Sequence, residues 1–276
     1  MLGAIIGDIC GSVYEFNNCR DMKKIVLFKD GCFPTDDSVM TVAVAQALLD
    51  TRHSPERSKD ALIDLMHYYG DLFPMAGYGG RFGAWLENRD RKPYGSWGNG
   101  SAMRVSSVGW MYDTLEETLF FAKLSAEFTH NHREGIKGAQ ATAAAIYLAR
   151  NKKSKEEIKE YIVKNFGYDL DFSIDGIRTS YDFDESCQGS LPPALVAFFE
   201  STDFEDAIRR VISVGGDSDT LAAICGGIAE AYYGIPEWME KKAFEVMTFK
   251  DNGWDRFENQ VLAAQVRRFQ KEVQGK

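Results

Sequence analysis

The chain has 276 residues, 45% of them hydrophobic, with 18 Phe, 12 Tyr, 5 Trp and a formal net charge of −9. That much apolar and aromatic side chain can form a substantial core and excludes a disordered chain. The negative balance argues against bulk electrostatic binding to nucleic acid, which needs a positive surface to release counterions.

The opening stretch, MLGAIIGDICGSVYEF, has no basic leader region. Its apolar run is broken at Gly7-Asp8 before it reaches signal-peptide or membrane-span length. A soluble cytoplasmic monomer with no membrane contact is therefore expected. The five cysteines, Cys10, Cys19, Cys32, Cys187 and Cys225, form no CxxC pair and neighbour no histidine. They read as reduced, mostly buried small hydrophobes, not as a disulfide framework or a zinc site.

In chain order, Ile25 to Phe28 is the best strand candidate, and almost everything after it has helical spacing. Val39 to Leu49, Lys59 to Tyr69 and Leu115 to Phe128 repeat apolar residues every three to four positions. Gly135 to Arg150 is rich in small residues, which favours a closely packed central helix. Lys155 to Asn165 and Phe204 to Ser213 are amphipathic. Leu221 to Tyr233 is a second small-residue helix, and Trp238 to Met247 follows Pro236. With no repeat or Pro-rich linker to divide it, the chain reads as one all-α domain spanning residues 1–276, a single compact multi-helix fold.

Glycine-rich loops lie between these helices, at Gly77 to Gly83, at Gly95 to Arg104 and at Gly215-Gly216. Glycine lets a backbone approach a ligand closely and aim N–H groups at phosphate, although any one loop taken alone is more simply a turn. Two acidic clusters, Thr35-Asp36-Asp37-Ser38 and Asp217-Ser218-Asp219-Thr220, each precede a helical segment. One such cluster would serve as a helix cap. Two together place four Asp and two Thr at positively polarised helix starts, a hard-oxygen set suited to Mg²⁺, Mn²⁺ or Ca²⁺.

Gly3-Ala4-Ile5-Ile6-Gly7-Asp8 leading to Glu15, Thr35-Asp36-Asp37, Gly98-Asn99-Gly100-Ser101-Ala102-Met103-Arg104, Thr129-His130 and Gly216-Asp217-Ser218-Asp219-Thr220 occur in this order. Together they resemble the ADP-ribosylglycohydrolases, the family of the dinitrogenase reductase-activating glycohydrolase, from about Gly3 to Gly234. The resemblance implies an all-α fold with a binuclear Mg²⁺ or Mn²⁺ centre at the base of a cleft for ADP-ribose. Thr35, Asp36 and Asp37 would ligate one ion, Asp217 and Thr220 the other, and Asp219 would bridge both. The diphosphate would lie against Gly80 and Gly98, Asn99, Gly100 and Ser101, with His130 close by and an aromatic stacking on adenine. Glu15 would transfer the proton in glycosidic cleavage, with Asp36 as the further catalytic candidate and Asp8 in support.

The implied partners are ADP-ribose and an ADP-ribosylated protein, nucleic acid or small molecule. The acceptor, whether arginine, serine, a base or O-acetyl, has no motif in the chain. Asp8 and Glu15 would share a face if the first helix continued that far. The short stretch from Cys10 to Cys32 leaves little room for a lid. His53 and His67 read as surface or core residues, and the His130-x-His132 pair has no spaced third partner for zinc, so all four histidines stay off the metal and His130 alone is kept as a ligand contact. Two other functions use the same residues: a dimetal phosphoesterase acting on a nucleotide, or a catalytically silent ADP-ribose-binding relative.

Overall fold

The computed structural model describes residues 1–51, 54–249 and 256–275. His53 lies outside the described residues. The helices are α1 (Leu2–Gly11), α2 (Asp36–Asp50), α3 (Pro55–Leu72), α4 (Gly80–Glu87), α5 (Gly100–Met103), α6 (Val108–Met111), α7 (Leu115–Glu127) and α8 (Arg133–Arg150). They continue as α9 (Lys155–Phe166), α10 (Ile174–Ile177), α11 (Cys187–Glu200), α12 (Phe204–Ile212), α13 (Ser218–Tyr233), α14 (Glu237–Phe249) and α15 (Arg256–Phe269). Among the described residues there is no strand, and no helix is long and apolar enough to cross a membrane.

Local sequence accounts for many of the helix ends. Ser154 and Glu157 form a reciprocal capping box at α9, Thr114 caps α7, and Gly167 closes α9 in the left-handed conformation. The strand expected at Ile25 to Phe28 does not form. The Tyr14 phenol accepts from the Val26 N–H at 2.8 Å and donates to the Val26 carbonyl at 3.2 Å, filling the positions a neighbouring strand would take. Phe28 is itself left-handed, with φ +52°.

The centre of the molecule is the crossing of α1 and α13. Both are almost wholly buried, and α1 contributes Leu2, Ile5, Ile6 and Ile9, each worth about 2 kcal/mol when buried. Gly3, Gly7 and Gly11 recur every four residues, which puts them on one face of α1. A Cβ on Gly3 would lie 2.3 Å from the Gly226 carbonyl oxygen, one on Gly7 1.9 Å from that of Ala222, and one on Gly11 2.5 Å from the Cα of Asp219. The two backbones touch because these positions carry no side chain. Glu230 on α13 also accepts from the Gly3 N–H at 2.9 Å.

Helix α8 packs against α13 and α7, with Ala139, Ala141 and Ala143 to Ala145 buried. Helix α11 contains Pro192 and Pro193. Proline removes an N–H, so the Gly189 carbonyl loses its partner at residue 193, and the Tyr181 hydroxyl bonds to it instead at 3.1 Å.

The crossing predicts that Gly7→Ala lowers stability by about 2 kcal/mol or more through overpacking against Ala222. Gly83→Ala on α4, where the nearest atom to an added Cβ is 3.9 Å away, should be neutral or stabilising by up to about 1 kcal/mol. Urea denaturation of both variants checks this, and equal effects at the two sites would count against the close contact.

Candidate metal centre and active site

The α1–α13 crossing delivers carboxylates from three helices to one place. Asp8, in the last turn of α1, is fully buried and reaches the start of α2. It accepts from the Thr35 N–H at 2.8 Å, the Ser38 N–H at 3.1 Å, the Thr35 hydroxyl at 2.7 Å and the Ser38 hydroxyl. Asp8 thus caps α2 from a neighbouring helix, alongside Thr35, whose Oγ1 accepts from the Asp37 N–H at 3.3 Å. Helix α1 ends at Gly11, so Glu15 lies in the turn beyond it and not on a shared helical face with Asp8. The start of α13 is set by Gly215 and Gly216, at φ +79° and +69°, a conformation that favours glycine.

Two carboxylate triads result. Asp8, Asp37 and Asp219 each offer an oxygen, all within 4.8 Å of one another, and Glu15, Asp217 and Asp219 do the same. Asp219 belongs to both. Asp37 Oδ1 and Asp219 Oδ1 are buried without a hydrogen-bond partner. The remaining oxygens are steadied by neighbours: Thr220 Oγ1 donates to Asp37 Oδ2 at 3.1 Å, and Asn99 Nδ2 donates to Asp217 Oδ2 at 2.7 Å. Asp217 stands at the N-cap position of α13 and also lines the cleft, with its Oδ2 held by Asn99.

Burial, reinforced by neighbouring carboxylates, raises the pKa of Glu15 to about 7 and pushes Asp36, Asp37 and Asp219 well above the usual carboxylate range. Burial likewise raises Asp217, and Asp8 to about 6 despite its four hydrogen bonds. Buried carboxylates without cationic partners demand either protons or metal. Unpartnered inward oxygens on an all-oxygen donor set fit divalent ions such as Mg²⁺ or Mn²⁺.

Every member of the triads except Asp8, which is buried beneath the others, floors a cleft of about 690 Å³. Thr35, Asp36, Asp37, Asp217, Asp219, Thr220 and Glu15 all line it, as do Gly80, Gly98, Asn99, Gly100 and His130. Asp36 falls outside both triads, with Oδ1 3.8 Å from where a Cβ on Gly77 would sit. Ser101 does not line the cleft. Its hydroxyl is buried beneath the glycine loop and donates to the Gly135 carbonyl at 2.7 Å. Asn99 lines the wall, but its amide holds Asp217 and Ser190.

His130 is buried, its Nδ1 2.8 Å from the Thr129 hydroxyl and its Nε2 against Gly98 and Gly100. A Cβ on Gly100 would come within 3.2 Å of that nitrogen. Burial, then the nearby Arg104 and Arg81, holds His130 well below the usual histidine pKa and hence neutral. His67 stacks on Trp85 and bonds to the Asp90 carbonyl, and His132 caps α8, so both are structural. Sequence reasoning gave no role to Arg104. This fully buried guanidinium lines the cleft, donates to Thr129 Oγ1 at 2.8 Å and lies over the Phe128 ring.

Fold and site together define an all-α protein whose ligand cleft is floored by paired carboxylate triads. The sequence matches the ADP-ribosylglycohydrolase family over residues 1–271, and the chain belongs to that family. It is 26% identical to ADP-ribosylhydrolase ARH3 of Mus musculus, covering 86% of this chain and 83% of that protein. It is 33% identical to ADP-ribosylarginine hydrolase Tri1 of Pseudomonas putida over 53% of this chain and 42% of that one. A solved chain described as an ADP-ribosylglycohydrolase-related protein complex shares the fold, with TM-score 0.66 and 24% identity over 97% of this chain and 95% of that one.

The raised carboxylates predict an unusual stability profile. Groups whose folded pKa lies above the unfolded value stabilise the fold at low pH and lose that contribution as pH rises through the folded pKa, here about 6 for Asp8 and about 7 for Glu15. Metal-free protein should therefore lose thermal stability between about pH 5 and about pH 8. Mn²⁺ at about 100 times its Kd should restore about 2.7 kcal/mol. Asp219→Asn should flatten the pH slope and remove the metal response. Stability that rises over this range and ignores metal would contradict the assignment.

Proposed function

We propose that the protein hydrolyses the glycosidic bond between ADP-ribose and an acceptor, using two divalent cations, Mg²⁺ or Mn²⁺, held by the triads Asp8/Asp37/Asp219 and Glu15/Asp217/Asp219. The observation that carries this reading is the sharing of Asp219 by two carboxylate triads, with buried, unpartnered oxygens on Asp37 and Asp219, in a chain of this family. When bound, such ions supply Lewis-acid fixation of hydroxyls and water. Thr35, Asp36 and Thr220 complete the oxygen-rich floor.

The residues of the cleft divide the remaining work. Glycosidic cleavage passes through an oxocarbenium-like state and needs a proton for the departing group. One Glu15 oxygen belongs to the triad; with a cation there Glu15 would be ionised, and its other oxygen could take a proton from the attacking water and pass it to the departing group. The diphosphate faces Arg81, the N-terminus of α4 at Gly79 and Gly80, and the Gly98–Gly100 loop. Arg104 donates to Thr129 Oγ1, and of that hydroxyl's two acceptors His130 Nδ1 at 2.8 Å is nearer than the Ala126 carbonyl at 3.4 Å; with the Thr129 proton directed to Nδ1, the imidazole N–H stands on Nε2, where it can donate to a ligand oxygen. Trp97, 48% exposed at the rim, offers an aromatic face to adenine.

Chelation should abolish turnover of ADP-ribosylated substrates, and Mg²⁺ or Mn²⁺ should restore it with free ADP-ribose and intact acceptor as products. Release of AMP would instead show phosphoesterase action. At saturating Mn²⁺, Glu15→Gln should bind ADP-ribose with affinity close to wild type while turnover drops by about 10²-fold or more. Wild-type turnover in that variant would remove Glu15 from proton transfer.

A further inference from the structure

Two turns carry Glu15 and Asp217 of the second triad, whereas Asp219 stands in the first turn of α13. Glu15 lies four residues past the end of α1, and Asp217 follows the left-handed glycines Gly215 and Gly216. One side chain lies between them. Asn18 Oδ1 accepts from the Gly216 N–H at 2.9 Å, and Asn18 Nδ2 lies 3.1 Å from the Gly216 carbonyl. The same amide nitrogen faces the Tyr14 carbonyl at 2.6 Å and the Glu15 carbonyl at 2.9 Å. Asn18 therefore pairs with both backbone groups of Gly216, much as a strand neighbour would, while holding the backbone of Glu15.

Arg20 reinforces the same junction. Its Nη1 donates to the Val214 carbonyl at 2.7 Å and its Nη2 to the Tyr181 carbonyl at 2.7 Å. A Cβ on Gly215 would sit 3.1 Å from both Asn18 Oδ1 and Arg20 Cζ, and one on Gly216 would sit 2.8 Å from the Tyr181 ring. The glycines thus admit both the conformation and the close approach. The other triad needs no such tie, because Asp8, Asp37 and Asp219 stand on α1, α2 and α13, which pack directly.

We infer that Asn18 is a positioning residue that latches the Glu15 turn to the Gly215–Gly216 turn and so sets the geometry of the Glu15/Asp217/Asp219 triad alone. The inference rests on the metal-dependent reading proposed above. Asn18 is exposed and outside the core, so its truncation leaves the helix packing intact.

The test is calorimetric titration of metal-free full-length protein with Mn²⁺, together with kcat and KM on an ADP-ribosylated substrate and a thermal melt. Two variants are needed, Asn18→Ala and the isosteric Asn18→Asp, which fills the same space but loses every donated bond. Wild type should take up two equivalents. Both variants should keep one equivalent at wild-type affinity, bind the second about 10- to 100-fold more weakly, and lose kcat by a similar factor with KM little changed. Their metal-free melts should match wild type. Two undisturbed equivalents with wild-type kcat, wild-type behaviour of Asn18→Asp, or equal weakening of both equivalents would each overturn the inference. Wild-type protein that takes up no Mn²⁺ overturns the metal reading itself, and the inference with it.

Discussion

The direct backbone contact between α1 and α13 is the constraint on which the site depends. Gly3, Gly7 and Gly11 let the first helix lie against Gly226, Ala222 and Asp219 with no side chain between them. Because Gly11 sits on the Cα of Asp219, Asp8 arrives beside the Asp219 carboxylate, and Asp8 in turn fastens the start of α2. Any residue larger than glycine would separate the helices and open both triads at once. The core and the candidate active site are therefore one packing problem, with Asp219 at its intersection.

That arrangement concentrates like charge where water is excluded. Asp8, Glu15, Asp36, Asp37, Asp217 and Asp219 all have raised pKa values, and burial is the leading cause for each. The fold tolerates local electrostatic repulsion to keep an acidic pocket, as functional sites commonly do. The cationic groups of the cleft stand apart from it. Arg104 bonds to the Ser125 carbonyl and Thr129 and lies over Phe128, while Arg81 lies over Tyr94 and donates to its carbonyl. The cleft is thus acidic at its floor and cationic along its wall, a division of charge that the proposed ADP-ribose ligand would match.

Local pattern made most helices legible. The apolar spacing of Val39 to Leu49 and the small residues of Gly135 to Arg150 and Leu221 to Tyr233 each fall within an observed helix. Features that depend on distant partners were less visible. Ile25 to Phe28 has strand composition, but the phenol of Tyr14, eleven or more residues earlier, takes the bonds a strand would need. Pro192-Pro193 lies inside α11, and the Gly189 carbonyl that Pro193 leaves without a helical partner is met by the distant Tyr181 hydroxyl.

The same holds at the site. The acidic clusters were apparent from residue type, whereas the membership of Asp8 in a triad, the turning of Asn99 toward Asp217 and the burial of Ser101 follow only from tertiary contacts. The glycine spacing of α1 was present in the sequence all along. Its meaning required a second helix that could be seen to touch it.

The most direct test of the account is a crystal structure of the protein grown with Mn²⁺, with anomalous scattering recorded at the manganese edge. Two peaks about 3.5–4 Å apart are predicted, one among Asp8, Asp37 and Asp219 and the other among Glu15, Asp217 and Asp219, with Asp219 touching both. A single ion held without Asp219, or two ions bound outside these triads, would contradict it.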